Sequence, residues 1–284
     1  MGRCNESGRP RTPDEDLNLT SHALPYLAVA RAKGPDAGAF LQAQLSADLE
    51  SLQDGDATFA CYCSPRGQVY GLLLVCREAG GFVLVGAAEL LPSILERLRR
   101  FVLRARVQFE PAADLAVSGA PAERVAAAGV FHTVPGLSYR VAAQHECESR
   151  DGNGWKAREL QHGVAWLSAQ TSERFIPQML GFDQIGAVSF SKGCYPGQEI
   201  VARARYLGTV KRKPLRLLVA AAPVIAPGAV IRVQAGEAWL DGVAIDSAPL
   251  GTGRQRMVFA VAAVPAGTVR ALEFEERSYR CATM

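Results

Sequence analysis

The spacing of apolar residues in the N-terminal part of the chain switches between a helical and an alternating period. Residues 35–45 begin with a Pro-Asp helix-start signal and then place their large apolar residues on one face, which predicts a helix. Residues 57–86, ATFACYCSPRGQVYGLLLVCREAGGFVLVG, predict three strands separated by turns that contain glycine. An apolar stripe in residues 87–109 predicts a second helix, and strands are predicted at 107–109 and 115–118. Helices on one face of an antiparallel sheet define the α+β fold class.

The spacing of apolar residues changes after residue 213. Five short alternating segments, separated by Pro, Gly or Asp turns, follow without a helix signal and predict a small antiparallel β-barrel. Residues 120–150 predict a helix and strand pair. The predicted domains are a flexible tail at 1–18, a first α+β lobe at 19–118, a second α+β lobe at 119–210 and a barrel at 211–284.

Composition is that of an ordinary globular protein from a reducing compartment. The chain has 284 residues, 49% of them hydrophobic, so it can bury a substantial core. A net charge of +3 is too small to predict nucleic-acid binding by itself. The seven cysteines form no C-x-x-C pair, which predicts free thiols rather than a disulfide framework. Because residues 1–20 are polar and partly acidic, we expect no export signal, a cytoplasmic location and no membrane partner.

The segment SFSKGCYPGQEIVARARYLGTVKRK, residues 189–213, holds a cysteine with polar neighbours. A proline two residues after Cys194 opens a predicted helix, so the thiol lies just before a helix N-terminus, with Lys192 close by. Both features lower the pKa of a thiol and predict a reactive or ligand-binding thiolate. Gly193 and Gly197 would let the backbone approach a ligand closely. A small buried residue in a tight loop is the alternative interpretation.

Three other features each leave a structural and a functional interpretation open. The basic run at 203–213 is either a polyanion site or a solvated face, and Tyr206 is its aromatic residue. Residues 172–186, which include Gln178, predict an irregular loop that lines a site. Trp155 follows a glycine-rich turn and either stacks on a planar ligand or fills the core.

Residues 192–199, KGCYPGQE, match every fixed position of the motif K-G-C-[FY]-x-G-Q-E. On this motif the chain resembles the YgfZ family of folate-binding proteins, which are relatives of the glycine cleavage T-protein. The segments GPDAGAFLQAQLSADL, SPRGQVYGLLLV, FIPQ and VARARYLGTVKR are also similar to the family pattern, so the resemblance extends over about residues 20–270. The motif residues are Lys192, Gly193, Cys194, Tyr195, Gly197, Gln198, Glu199 and, further on, Arg203.

The resemblance implies a ring of ferredoxin-like α+β domains and a barrel around a cavity for tetrahydrofolate or a derivative. It implies a role in assembly or repair of iron–sulfur enzymes, including a tRNA-thiolating one, so folate and iron–sulfur client or assembly proteins are the expected partners. Cys194 is then the functional thiol, which holds a transient cluster or one-carbon intermediate or donates electrons or a thiolate. No resident metal is implied. The folate contacts expected from the family are Leu27, Tyr26, Trp155, Gln178 and Glu199.

The chain differs from the T-protein relatives at one position pair that bears on the expected activity. Those relatives carry an Asp pair in the strand that reads GQVYGLLLV here, where Gly71 and Leu72 stand at the corresponding places. Aminomethyl transfer without that carboxylate lacks its acid–base group, so we expect an accessory protein rather than an enzyme. A folate-dependent one-carbon transferase is the alternative if Asp48 or Glu199 faces the cavity. A tRNA-binding module that uses residues 203–213 is the second alternative.

Overall fold

The computed structural model describes residues 22–120, 129–144, 153–251, 254–265 and 269–284. These ranges hold three antiparallel sheets, two of them open and one closed into a barrel. The open sheets and the helices share one hydrophobic core, and the barrel interior is a second core. No helix in these ranges has the length and apolar character needed to cross a membrane. The tail predicted at 1–18 lies outside the described residues.

The first sheet has the strand order β3-β4-β5-β2-β6. Its strands are β2 (Leu27–Lys33), β3 (Ala57–Cys63), β4 (Val69–Glu78), β5 (Gly81–Ala87) and β6 (Gln108–Pro111). Helix α1 (Ala37–Gln44) connects β2 to β3, and α2 (Leu91–Arg100) connects β5 to β6. Strands β3, β4, β5 and β6 and both helices agree with the sequence prediction, because each has a clear apolar period and a Gly or Pro boundary. Strand β2 was not predicted from the sequence.

Helix α2 packs closely on this sheet because β4 and β5 carry glycines beneath it. Its buried stripe is Leu91, Ile94, Leu95 and Leu98. A Cβ atom on Gly71 would lie 2.6 Å from Ile94 Cδ1, and one on Gly86 would lie 3.4 Å from Leu91 Cδ1. Gly71, one of the two positions where the T-protein relatives carry Asp, therefore serves helix–sheet packing here.

The second sheet has the order β1-β7-β9-β8. It contains β1 (His22–Ala23), β7 (Leu115–Ala120), β8 (Val130–His132) and β9 (Ser138–Ala143), and α3 (Asn153–Gln161) follows it. The residues of β1 and β7 were assigned to the first lobe from sequence. In the structure β7 pairs with β9, and β1 pairs with β7, so both strands belong to the second sheet. Of the predicted helix and strand pair, residues 129–144 form strands, and residues 121–128 and 145–152 lie outside the described part. Helix α3 begins where the sequence indicated a turn.

The barrel closes with six strands, one more than predicted, in the order β10-β13-β12-β11-β14-β15. They are β10 (Lys213–Ala220), β11 (Val230–Ala235), β12 (Ala238–Leu250), β13 (Gln255–Ala262), β14 (Val269–Phe274) and β15 (Arg277–Thr283). Strand β15 closes the ring by pairing Leu217 of β10 with Thr283. Strand β15 was not predicted from the sequence, because its side chains are exposed or half-buried throughout and give no apolar alternation. The fold class, α+β with a C-terminal antiparallel barrel, is confirmed.

Candidate functional site

The loop that carries Cys194 is anchored by the ammonium group of Lys192. The Lys192 Nζ atom donates to Gln42 O, to Leu45 O at 2.7 Å and to Ala47 O at 2.9 Å. These carbonyls belong to the last turn of α1 and the residues after it, where a helix leaves acceptors without partners. Burial lowers the pKa of Lys192 to about 8, against the opposing charges of Asp48 and Glu50. All three ammonium hydrogens thus bind backbone carbonyls, and none is left for the neighbouring thiol.

Gly197 is the second anchor of the loop. It precedes α4 (Gln198–Tyr206) in a left-handed conformation with φ +81°, which strongly favours glycine. A Cβ atom here would lie 2.3 Å from Ser64 O and 2.6 Å from Gly67 Cα. The SPRG turn between β3 and β4 therefore touches the backbone of the KGCYPGQE motif. Gly193 differs, because nothing lies within 4 Å of its Cβ position.

Ser46 ties the same region together from inside the core. Its Oγ atom donates to Ala187 O at 2.5 Å and accepts from Cys61 N at 2.8 Å. The carbonyl of Ser46 accepts from Ser189 N at 2.8 Å. The segment that leads into the motif is thereby bonded to Ser46, two residues after α1, and through it to strand β3.

Cys194 is exposed on this fixed loop. The cysteines of the first sheet, Cys61, Cys63 and Cys76, are buried, and Cys281 of the barrel is half-buried. Burial raises the pKa of the Cys61 and Cys76 thiols, and it raises the pKa of Cys281 to about 11. Among the described cysteines, Cys194 is thus the thiol that a partner molecule can reach. Cys4 and Cys147 lie outside the described residues.

The remaining motif residues divide between the core and the surface. Tyr195 is buried, and burial raises its pKa, with smaller contributions from Cys63 and Cys61. Gln198 Nε2 makes long contacts with Lys192 O at 3.4 Å and Gly193 O at 3.5 Å. Glu199, in the first turn of α4, and Arg203, in its last turn, are both exposed. The motif therefore combines a structural inner face with a polar outer face.

The five residues expected to contact folate fall in two places. Gln178 lies beside α4, where its Nε2 atom donates to Val201 O at 2.6 Å, and Glu199 is on the exposed side of the same helix. Trp155 instead belongs to α3, Tyr26 donates to Glu159 of the same helix, and Leu27 follows Tyr26 at the start of β2. Two groups of predicted contacts are thus formed, one around α4 and one around α3.

Trp155 is 1% exposed and packs in the core. Its ring stacks at 6.3 Å on His22 and meets Tyr139 edge-on at 6.4 Å. Gly119 makes room for it, since a Cβ atom there would lie 2.2 Å from the indole. Of the two interpretations from sequence, this burial favours the core. The indole Nε1 is nevertheless buried without an acceptor in the described part of the chain.

A buried carboxylate that was not predicted from the sequence, Glu159, lies one helical turn after Trp155. Its Oε2 accepts from Tyr26 Oη at 2.7 Å, and its Oε1 accepts from Tyr139 Oη at 2.7 Å and Trp166 Nε1 at 3.0 Å. Burial raises the pKa of Glu159 to about 7, although these three donors and the charge of Lys156 lower it. The i to i+4 spacing from Trp155 was the available signal, since it places both side chains on one face of α3.

A charged pair next to this network connects α3 with the barrel. Lys156 Nζ lies 2.7 Å from Asp246 Oδ2 of strand β12, and both side chains are largely buried. The same ammonium lies 5.1 Å from the centre of the Tyr26 ring. Burial raises the pKa of Asp246, and Lys156 opposes that rise. Tyr26 is thus placed between a buried carboxylate and a buried cation.

The carboxylates proposed for transferase chemistry are not placed for it. Asp48 accepts from Gln42 Nε2 at 2.9 Å and from Glu50 N at 3.2 Å, beside the Lys192 anchor. Glu199 is exposed on α4, and Leu72 is buried in β4. In the described ranges no group of three or more His, Cys, Asp or Glu side chains is arranged to hold a metal ion.

Comparisons with known proteins agree with this architecture. No family model matches the chain. A curated relative from Klebsiella pneumoniae (strain 342), named tRNA-modifying protein YgfZ, is 27% identical over 266 residues, with 81% of each protein covered. The crystal structure of glycine cleavage system aminomethyltransferase T from Bartonella henselae superposes with a TM-score of 0.70 over 93% of this chain and 84% of that chain. Its identity is only 14%, so that likeness shows the fold alone. The chain is therefore confirmed to resemble the YgfZ family in sequence and the glycine cleavage T-protein in fold.

Proposed function

We propose that this chain is a tetrahydrofolate-binding accessory protein that supports assembly or repair of iron–sulfur enzymes, including tRNA-thiolating ones. The observation that carries the proposal is the position of Cys194, a thiol presented to solvent by a loop fixed at Lys192 and Gly197. A loop that only filled space would not need an exposed cysteine held in one place. The name of the curated relative supports a link to tRNA modification.

Cys194 would supply one thiolate ligand to an iron–sulfur cluster, and the other ligands would come from elsewhere. A stable iron–sulfur cluster needs four protein ligands, commonly four thiolates. In the described part of the chain the other thiols are buried or half-buried and belong to other elements. A client or assembly protein, a second copy of this chain or a non-protein ligand would therefore have to complete any cluster at this position. A reducing cytoplasmic environment would keep the thiol free for that contact.

Tetrahydrofolate would bind at the α3 group of residues, next to Tyr26 and Leu27. This group offers a polar, aromatic environment, and the buried Trp155 Nε1 is a donor that lacks an acceptor among described residues. A planar ligand that accepted from this donor would have to displace part of the packing around the indole, which His22 and Tyr139 contact here. Folate would supply the one-carbon carrier there, and Tyr26 and Leu27 would orient it.

We do not extend the proposal to a one-carbon transferase. The candidate acid–base groups Asp48 and Glu199 are occupied by local bonds or face solvent. Glu159 is a carboxylate with a pKa near neutrality, but it already accepts three hydrogen bonds inside the core. Transfer of a one-carbon group by the purified protein would overturn this restriction.

The role of Cys194 is tested in cells whose own copy of the gene is deleted. Thiolated tRNA nucleosides are measured by mass spectrometry after complementation with wild type, Cys194→Ser or Cys281→Ser. We expect Cys281→Ser to restore thiolation and Cys194→Ser to fail, with both proteins present at equal levels. Full restoration by Cys194→Ser would refute the assigned role of the thiol.

Folate binding is tested separately by anaerobic calorimetry with tetrahydrofolate. Tyr26→Phe removes the hydroxyl that donates to Glu159, and Tyr70→Phe is a matched control in the first sheet. We expect saturable binding that Tyr26→Phe weakens and Tyr70→Phe leaves unchanged. Absence of binding by the wild type would remove folate from the proposal and leave the thiol function to be judged by the complementation result.

A further inference from the structure

Helix α4 ends on an exposed aromatic ring that is held in place at one edge. Tyr206 is 67% exposed, and its ring centre lies 6.1 Å from that of Phe190 in an edge-on arrangement. The Arg205 guanidinium lies 5.2 Å from the centre of the Phe190 ring. The structure thus adds Phe190 as a second aromatic residue to a basic run in which the sequence showed only Tyr206. A fixed, open ring beside arginines is a stacking platform for a planar group.

The basic side chains between residues 203 and 216 mostly lack a carboxylate partner among the described residues. Arg205 has one distant carboxylate, Asp183, at 3.9 Å. In the described ranges no ion pair involves the other cations of this surface, which are Arg203, Lys211, Arg212, Lys213 and Arg216. Arg216 instead donates to Gln161 O at 2.9 Å. Such a concentration of unpaired positive charge attracts a polyanion.

The surface continues into a cleft of about 380 Å³ between α4 and the start of the barrel. Arg205, Lys213 and Arg216 line it, together with Gln178 and Asp183. Gln178 is 8% exposed, and Gln178 Oε1 and Asp183 Oδ1 are buried without a donor in the described part of the molecule. The cleft thus combines cations for a phosphate with acceptors that need a hydroxyl or amino donor.

We propose that this surface binds single-stranded RNA. Phosphates would bind the cations from Arg203 to Arg216, an unpaired base would stack on Tyr206, and a ribose 2′-hydroxyl would donate to Gln178 or Asp183. Single strands fit better than duplexes, because only unpaired bases expose a face to the ring. The 2′-hydroxyl distinguishes RNA from DNA. RNA binding at this surface requires neither folate nor the thiol of Cys194. Its test therefore has an outcome that is independent of the tests of the proposed function.

Fluorescence anisotropy with a labelled single-stranded RNA of about 12 nucleotides tests the proposal. Affinity is measured at salt concentrations from about 50 to 200 mM for the wild type, Tyr206→Ala, Tyr206→Phe and the double variant Lys211→Gln/Arg212→Gln. The matched control is Arg270→Gln/Arg280→Gln, which removes two exposed arginines from the barrel strands β14 and β15. Circular dichroism confirms that each variant is folded.

We expect Tyr206→Ala to weaken binding about tenfold and Tyr206→Phe to retain it, because stacking needs the ring and not the hydroxyl. Lys211→Gln/Arg212→Gln should reduce the slope of log affinity against log salt by about 1.4, and the barrel control should bind like the wild type. DNA of the same sequence should bind more weakly than RNA. The proposal would be overturned if the wild type did not bind RNA or bound it with an affinity that does not depend on salt. It would also be overturned if the barrel control lost as much affinity as Lys211→Gln/Arg212→Gln, or if duplex RNA or heparin competed as strongly as single-stranded RNA.

Discussion

Gly197 lies directly against Gly67, so the two glycine turns of the KGCYPGQE and SPRG segments share one contact. A Cβ atom on Gly197 would lie 2.6 Å from Gly67 Cα, and one on Gly67 would lie 3.0 Å from Ile200 Cβ. Both glycines have a positive φ, +81° and +74°. The exposed thiol of Cys194 is therefore positioned by backbone packing between segments that are far apart in sequence.

Gly197→Ala should destabilise the protein by about 2–4 kcal/mol, because it adds both left-handed strain and a steric overlap with Ser64 O. The matched variant is Gly193→Ala, four residues earlier in the same loop, where a Cβ atom meets nothing within 4 Å. We expect it to change the unfolding free energy by less than about 1 kcal/mol. Urea denaturation of both variants measures the difference, and equal stabilities would contradict the described backbone contact.

Of the contacts that fix this loop, some could be predicted from the sequence and others could not. The helix after Cys194 and its glycine start were predictable, because Pro196 and Gly197 are local signals. The partner of Lys192 was not, because its three acceptors lie about 150 residues earlier in the chain and are backbone atoms without a residue signature. Glu159 was missed for a similar reason, since an acidic residue in a helix predicts a surface position unless its donors are known. Local patterns thus predicted the elements, whereas tertiary contacts determined the site.

Lys192→Met should destabilise the protein by about 2–4 kcal/mol, because three carbonyls at the end of α1 lose their donor. The loss should be accompanied by faster amide hydrogen exchange in Ala37–Gln44. Lys211→Met is the control, since Lys211 is exposed and should change stability by less than about 0.5 kcal/mol. If both variants unfold at the same urea concentration as the wild type, the ammonium group is not a structural anchor.

Tyr195→Phe should be neutral or stabilise the protein by up to about 1 kcal/mol, because the buried hydroxyl has no hydrogen-bond partner among the described residues. Tyr139→Phe is the comparison, since the Tyr139 hydroxyl donates to Glu159 at 2.7 Å. That variant should lose about 1–3 kcal/mol. Thermal and urea unfolding of the pair provide the measurement. A clear loss in Tyr195→Phe would mean that its hydroxyl binds a group that the described contacts do not include.

The ion pair between Lys156 and Asp246 should couple α3 to the barrel. Lys156→Met should destabilise the protein by about 2–4 kcal/mol, because it leaves a buried carboxylate without its cation. Adding Asp246→Asn should recover part of that loss, which a double-mutant cycle measures. The exposed pair of Arg31 and Asp114, 2.7 Å apart, is the control and should contribute less than about 1 kcal/mol. Additive effects at Lys156 and Asp246 would show that the buried pair is not coupled.

Glu159 should make the protein less stable as the pH rises, whereas a carboxylate whose pKa is lowered by an ion pair makes a protein more stable. Burial raises its folded pKa to about 7 from the ordinary value of 4.5, so the folded state binds a proton that the unfolded state has released. Its contribution is fully present below about pH 4.5 and is lost as the pH rises to about 7. The total change is on the order of 3 kcal/mol.

Glu159→Gln isolates this contribution, because glutamine is similar in shape and does not titrate. The unfolding free energy of the variant minus that of the wild type should therefore rise by about 3 kcal/mol between pH 4.5 and pH 7 and stay level above it. Subtraction removes the other titrating groups, which both proteins share. A difference that is constant with pH would mean that Glu159 stays ionised inside the core, held by Tyr26, Tyr139 and Trp166 more strongly than burial opposes it.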